Sequence, residues 1–92
     1  MENEYMLSQE DIMLLNLVDK KYKYIVRDKS GELFVFERLP VKDKDCSAWV
    51  DTDGEFSSLQ AVSEKALTFI KWEDKKPYKI KDLLGVNDYV SN

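Results

Sequence analysis

The fold is decided by the stretch KYKYIVRDKSGELFVFERL, residues 21–39, which has the pattern of a β-hairpin. Apolar and polar residues alternate along 21–28 and again along 32–39, as is typical of two strands. The connection Asp28-Lys29-Ser30-Gly31 suits a type I turn, and Gly31 then occupies the left-handed position that favours glycine. The stretch therefore predicts two antiparallel strands at the centre of a sheet.

Opposing Asp28 and Glu32 fixes the register of this hairpin. One face then carries aromatic and branched side chains, and we expect it to be core: Tyr22, Tyr24, Val26, Phe34 and Phe36. The other face is mixed, with Ile25 opposite Val35 and a weak cross-strand ion pair of Lys23 and Glu37.

A helix is predicted before the hairpin, beginning at Ser8. Ser8 and Asp11 have the spacing of a capping box, and Leu7 and Ile12 occupy the hydrophobic-staple positions around it. More apolar residues follow than one stripe needs: Ile12, Met13, Leu14, Leu15, Leu17 and Val18. We therefore expect this helix either to be covered on two sides or to meet a partner.

The remaining elements are predicted from shorter signals. Pro40 ends the second strand, and a polar loop follows at Val41–Asp45. Three further strands are expected, at Ser47–Asp51 around Trp49, at Phe69–Trp72 and at Tyr78–Ile80. Ser57 and Gln60 form a second capping box, which predicts a helix near residues 58–67. Asp82-Leu83-Leu84 is expected to make one helical turn that Gly85 stops, and 86–92 a loose tail.

These elements predict one α+β domain over residues 1–92, ordered at roughly 7–84. We expect a small antiparallel sheet of four to five strands, led by the hairpin, with an N-terminal helix and a second helix near 58–67. The chain has five Tyr, four Phe and two Trp, which suits a small core built from large side chains.

The composition excludes several kinds of chemistry. The chain has no histidine and one cysteine, Cys46, so neither a triad nor a structural zinc site is expected. Asp51 and Asp53 precede Gly54 as in a calcium loop, but the twelfth position is Gln60 instead of a bidentate Glu, which predicts a turn. We predict no enzyme activity, no metal and no cofactor. The acidic N-terminus and the longest apolar run, Ile12–Leu15, predict no secretory signal and no membrane span, hence a cytoplasmic protein.

Two motifs give the chain a resemblance to known sequences. The hairpin contains Tyr22-Lys23-Tyr24-Ile25-Val26-Arg27-Asp28-Lys29-Ser30-Gly31, and Trp72-Glu73-Asp74-Lys75-Lys76-Pro77 follows later. Over roughly residues 7–84 the chain resembles small uncharacterised proteins of temperate phages and integrated elements of low-GC Gram-positive bacteria. The chain departs from that group at Lys75 and Lys76, where acidic residues are expected. The resemblance implies a bacterial cytoplasm and implies no particular activity.

Two classes of function, with a third alternative, follow from these observations. The first hypothesis is a non-catalytic module that binds a host or element-encoded protein. Its candidate contacts are apolar, aromatic or acidic: Met13, Leu14, Leu17, Trp49, Trp72, Asp51 and Asp53. The two tryptophans are candidates only if they are exposed, and the alternative is that each is buried in the core. The second is a nucleic-acid-associated protein that uses Lys21, Lys23 and Arg27, although a pI near 4.8 opposes phosphate binding. The third is a structural homodimer formed through the surplus apolar surface of the first helix.

Overall fold

A computed structural model describes the main chain of residues 7–91 and the side chains of residues 7–85. Its elements are α1 (Gln9–Leu17), β1 (Tyr24–Arg27), β2 (Leu33–Phe36), β3 (Val41–Asp43), β4 (Ala48–Val50), β5 (Phe56–Ser58), a 3-10 turn (Gln60–Val62), β6 (Tyr78–Lys79) and α2 (Ile80–Ser91). Four strands form an antiparallel sheet in the order β5-β2-β1-β6, and β3 pairs with β4 in a separate sheet. The predicted α+β class is confirmed, with the strands divided between two sheets.

The β1–β2 hairpin has the register that its turn chemistry predicted. Its strands oppose Tyr24 with Phe36, Ile25 with Val35, and Val26 with Phe34. The Gly31 amide donates to the Asp28 carbonyl at 2.9 Å. Gly31 has φ +99°, a conformation that other residues rarely adopt. A short local signal therefore sets the two central strands.

The core lies on both faces of the four-stranded sheet, and its larger part covers the face that we predicted to be mixed. This larger cluster contains Leu15, Ile25, Leu33, Val35, Leu67, Ile70, Ile80 and Leu83, and Tyr22 packs against it. The face that we predicted to be core holds a smaller cluster, Val26, Phe36 and Trp49. The predicted ion pair also fails: Lys23 donates to the Lys20 carbonyl, and Glu37 accepts the Glu55 amide. Alternation separated the two faces, but it carried no information about which face the helices cover.

Helix α1 begins as predicted. The Asp11 amide donates to the Ser8 hydroxyl at 3.0 Å, and the Ser8 amide donates to Asp11 Oδ2 at 3.3 Å, which completes the capping box. The other carboxylate oxygen of Asp11 accepts the Leu67 amide at 2.9 Å in a buried position. The cap therefore also joins α1 to the chain that follows β5.

Arg27, the last residue of β1, holds the connection between β5 and β6. Its guanidinium donates five hydrogen bonds, all to main-chain carbonyls: Nε to Ile70 and Nη1 to Gly31 and Ser63 at 2.6 Å each, Nη2 to Ala66 and Leu67 at 3.0 Å each. A guanidinium has five N–H groups, so every donor is used. Partial burial lowers the Arg27 pKa. We call residues 63–70, which supply four of these carbonyls, the clamped segment.

Two predicted elements are wrong because the clamped segment lies where they were expected: the helix near 58–67 and the strand Phe69–Trp72. Residues 58–67 form no helix beyond the 3-10 turn Gln60–Val62, and Leu67 has φ +52°, which a helix does not accept. Ser57 lies in β5 opposite Val35 instead of capping a helix. Phe69–Trp72 is not a strand, because the Ile70 carbonyl is directed at Arg27 and not at a neighbouring strand.

Two other predictions differ from the structure, at 41–45 and at Gly85, and one further strand is confirmed. The expected polar loop at 41–45 begins as β3, which pairs with β4 at the expected third strand. The expected fifth strand is present as β6, which pairs with β1. Helix α2 continues through Gly85 to Ser91, because an interior glycine weakens a helix without ending it, so the main chain of the predicted loose tail is helical that far. Within the described residues, no helix is long and apolar enough to cross a membrane.

Candidate functional site

Helix α1 exposes apolar side chains on the side that faces away from the core. Met13 is 60 % exposed and Leu17 is 81 % exposed, and a spacing of four places them on one face of the helix. Asp11 and Leu15 lie on the opposite side and are buried. Leu14 is half-buried against the larger core cluster. Two of the three contacts predicted on this helix therefore reach the surface, and we call Met13 and Leu17 the outward pair.

The outward pair is unusual for a helix that packs on a sheet. Such a helix normally places polar residues on its outer face, since apolar side chains there gain nothing from folding. In α1 apolar residues occupy both sides, and among the described residues no element covers the outer one. The surplus apolar surface predicted from the sequence is therefore present and exposed.

A second surface lies beside the end of α1. A groove of about 1190 Å³ opens between the end of this helix, residues 18–24 and the first turns of α2. Its floor is apolar and is made by Leu15, Val18, Ile80 and Leu84. Its exposed rim carries four lysines and two aspartates: Lys20, Lys23, Lys79, Lys81, Asp19 and Asp82. We call this surface the lysine groove.

Sequence reasoning missed the lysine groove because its two halves are far apart in the chain. The antiparallel pairing of β1 with β6 places Tyr24 opposite Lys79 and so brings the basic run of residues 20–29 beside the start of α2. The available signal was a pair of lysines, Lys79 and Lys81, that flanks the end of the predicted fifth strand. Without the strand order, those two lysines have no known neighbour.

The rim lysines of the groove form no ion pair with any described residue. Within the described part of the chain, the ion pairs are Lys21 with Glu55, and Arg38 with Asp53 at 3.7 Å. Asp19, on the rim, accepts the Lys21 amide at 2.9 Å and so belongs to its own turn. Four cationic groups therefore border an apolar floor without a carboxylate partner in the described residues.

Trp49 and Trp72, predicted as partner contacts, pack against each other. Trp49 is only 5 % exposed, so the alternative of burial in the core holds for it and it is not a surface contact, whereas Trp72 is half-buried. The rings meet edge to face with centroids 6.4 Å apart. The Lys42 ammonium lies 5.1 Å from the Trp49 centroid and 4.3 Å from that of Trp72, and it donates to the carbonyls of Trp72 and Asp74. Among described groups, Trp49 Nε1 is buried with no hydrogen-bond partner. These aromatic residues hold the β3–β4 sheet in place.

Asp51 and Asp53 form the turn that their spacing predicted. The Asp51 carboxylate accepts the amides of Asp53 and Gly54 at 3.3 and 3.1 Å, and Asp53 lies near Arg38. No group of three or more His, Cys, Asp or Glu side chains among the described residues is placed to hold a metal ion. Asp51 therefore stabilises its own turn, whereas Asp53 is exposed beside Arg38.

The three basic residues of the nucleic-acid alternative do not form one surface. Lys21 pairs with Glu55 and its ammonium lies 5.3 Å from the Tyr22 ring centroid. Lys23 borders the lysine groove. Arg27 donates all its N–H groups to carbonyls of the chain, which corrects its assignment to an accessible basic strand.

Cys46 is exposed at the end of the β3–β4 connection. Its thiol lies 3.5 Å from Asp43 Oδ2, and this hydrogen bond is the main reason that the Cys46 pKa is raised above its ordinary value. A raised pKa lowers the thiolate fraction at neutral pH, the opposite of what a nucleophile requires. The thiol is therefore poorly suited to nucleophilic chemistry.

Three of the residues that carry the resemblance have structural roles in the fold. Arg27 binds the clamped segment, Asp28 Oδ1 accepts the Trp49 amide at 3.1 Å, and Gly31 closes the hairpin. Comparisons with known proteins found no matching family model, no matching curated protein and no matching solved structure. The two exposed surfaces, the outward pair and the lysine groove, are therefore the candidate contact sites.

Proposed function

We propose that this protein is a non-catalytic binding module that acts on a host or element-encoded protein in a bacterial cytoplasm. The observation that carries the proposal is the outward pair on α1, where two large apolar side chains stand in solvent opposite the core. The resemblance to phage and integrated-element proteins supports the choice of partner and compartment.

The energy available at the outward pair is sufficient for an anchor. Fully burying a Met or Leu side chain contributes about 1.5–3 kcal/mol each relative to leaving it exposed. A few such residues account for most of the free energy of a protein–protein interface. Met13 and Leu17 therefore give α1 the character of a helix whose outer face is completed by a partner.

Two features support a role without catalysis. The chain lacks histidine, which removes the commonest general base. The Cys46 thiol, the one thiol in the chain, has a raised pKa beside Asp43. The exposed features that remain, the outward pair and the lysine groove, are suited to binding a partner and not to catalysis.

The proposal is tested by capturing partners from a Gram-positive lysate on the tagged full chain, after nuclease treatment, and quantifying them by mass spectrometry. We expect one stoichiometric protein that the wild type retains and the double variant Met13→Gln, Leu17→Gln loses. The matched control is Leu39→Gln with Val41→Gln, because these residues are 58 % and 62 % exposed and lie away from α1. The control should retain the partner.

Three results would contradict the proposal. Equal retention by both double variants would mean that the outward pair is not the contact. Concentration-dependent dimerisation in sedimentation, abolished by the α1 variant, would assign the outward pair to a second copy of this chain. Capture that disappears after nuclease treatment would favour the nucleic-acid alternative.

A further inference from the structure

We infer that the lysine groove binds an acidic, amphipathic segment of a partner protein. The inference rests on the proposed protein-binding function and adds to it a second contact surface with a defined chemistry. It is carried by the charge of the rim, the apolar character of the floor and the position of the tyrosines beside it.

The charge of the rim is opposite to that of the molecule. The whole chain has 14 basic and 18 acidic residues, yet the rim has twice as many lysines as aspartates. Lys20, Lys23, Lys79 and Lys81 have no ion-pair partner among the described residues. Carboxylates of a ligand would complement this local excess of positive charge, and the net negative charge elsewhere would disfavour acidic ligands at other sites.

The floor of the groove requires apolar groups from the same ligand. Leu15 and Ile80 are buried beneath it, and Val18 and Leu84 are half-buried along it. A ligand that carried only charge would leave this floor in contact with water. An amphipathic segment satisfies both parts, because its apolar residues cover the floor while its acidic residues reach the rim.

The tyrosines beside the groove favour a peptide over a nucleic acid. Sequence-tolerant binding of single strands requires exposed aromatic rings on which bases stack. Tyr22 and Tyr24 line the groove, but each is half-buried: Tyr22 packs against the larger core cluster and Tyr24 against the smaller one. The groove therefore offers cations and an apolar floor without free stacking surfaces.

The test selects ligands directly on the full chain. A library of random dodecapeptides displayed on mRNA is panned against the wild type, and the enriched peptides are measured by fluorescence anisotropy. We expect sequences that combine Asp or Glu with Leu, Ile or Phe. The variant Lys79→Gln with Lys81→Gln should bind them about fivefold more weakly, as expected for the loss of two exposed charge contacts. The matched control, Lys75→Gln with Lys76→Gln, removes the same charge outside the groove and should bind as the wild type does.

Several outcomes would overturn the inference. These are enrichment of peptides without acidic residues, absence of any enriched peptide, equal weakening by both lysine variants, and displacement of the peptide by oligothymidylate. Peptides that lose affinity with Met13→Gln and Leu17→Gln but not with the groove variant would overturn the inference while leaving the proposed function intact. Because Lys79 and Lys81 are exposed, their replacement should leave the thermal midpoint nearly unchanged, which separates lost binding from lost folding.

Discussion

The β1–β2 hairpin and the clamped segment are held by hydrogen bonds of different kinds. In the hairpin, main-chain groups pair with main-chain groups of the neighbouring strand, residue by residue. In the clamped segment, the carbonyls of Ser63, Ala66, Leu67 and Ile70 converge on one side chain, Arg27. A ladder distributes its strength over many residues, whereas the clamp concentrates it in one guanidinium.

Two further side chains contribute to the clamp. Asp11 accepts the Leu67 amide, and the Ser63 hydroxyl accepts the Leu33 amide at 2.8 Å while it donates to the Leu59 carbonyl at 2.8 Å. The clamped segment thus lacks regular secondary structure, yet the amide of Leu67 and the carbonyls directed at Arg27 are hydrogen-bonded. We therefore expect a single substitution in the clamp to lower the free energy of unfolding far more than a single substitution in the hairpin.

The largest effect is expected from Arg27→Met. The substitution removes five hydrogen bonds from a charged donor and leaves carbonyls of the clamped segment without partners, at a cost of about 3–4 kcal/mol in unfolding free energy. Urea denaturation followed by tryptophan fluorescence measures it. Arg38→Met is the control, since Arg38 is exposed and makes one surface ion pair, with an expected change within about 0.5 kcal/mol. If both variants lost similar amounts of unfolding free energy, Arg27 would not have the special stabilising role proposed for it.

A smaller loss is expected from Asp11→Ala. The Leu67 amide would lose its buried acceptor and α1 would lose half of its capping box, which together cost about 2–3 kcal/mol. Hydrogen exchange should show faster exchange at the Leu67 amide. Asp82→Ala removes an exposed carboxylate from the first turn of α2 and should cost only about 0.5 kcal/mol. Unchanged exchange at Leu67 would mean that Asp11 does not hold the segment.

A substitution in the hairpin itself is expected to lower the free energy of unfolding by a smaller amount. Gly31→Ala places a side chain at φ +99°, in open space, so the cost is conformational and amounts to about 1–2 kcal/mol. Gly85→Ala should have the opposite sign, a gain of about 0.5–1 kcal/mol, because Gly85 lies inside α2 with space around it. Thermal unfolding of both variants gives the comparison, and a loss at Gly85 would show that α2 does not continue through this residue.

The smallest effect concerns Asp28, which joins the hairpin to β4. Desolvation is the main cause of the raised pKa of Asp28. Because the pKa is higher in the folded protein, folding favours the protonated carboxyl. The wild type therefore loses stability as the pH rises above the ordinary carboxyl pKa of about 4. Asp28→Asn keeps an acceptor for the Trp49 amide without the charge. We expect the variant to equal the wild type below about pH 4 and to exceed it slightly at pH 7. Urea denaturation across this range tests the sign, and an advantage at low pH would reverse it.

The sequence predicted the parts of the fold whose signals are local. Ser8 and Asp11 are three residues apart, and Asp28 and Gly31 close one turn, so both sites followed from neighbouring residues. The clamped segment did not, because Arg27 lies 36–43 residues from its partners there and local spacing after Ser57 resembled a helix start. Because Arg27 binds main-chain carbonyls, which every residue has, no residue type in the sequence identifies its partners.

The candidate site divides in the same way. The outward pair was predictable, because an excess of apolar residues within one helix is visible in the sequence. The lysine groove was not, because it requires the β1–β6 pairing that brings Lys23 and Lys79 to the same edge. The sequence left the burial of Trp49 open, because an aromatic residue in a short strand gives no sign of which side of the strand is covered.

The clamp recognises the course of the main chain and not the identity of the side chains along it. Positions such as Glu64, Lys65 and Thr68 are exposed, and the bonds to Arg27 come from carbonyls that every amino acid possesses. The segment can therefore accumulate substitutions at these positions while Arg27, with Asp11 and the Ser63 hydroxyl, maintains the path of its main chain. Substitutions at these exposed positions would leave the fold intact, so the outer surface of the segment is free to diversify.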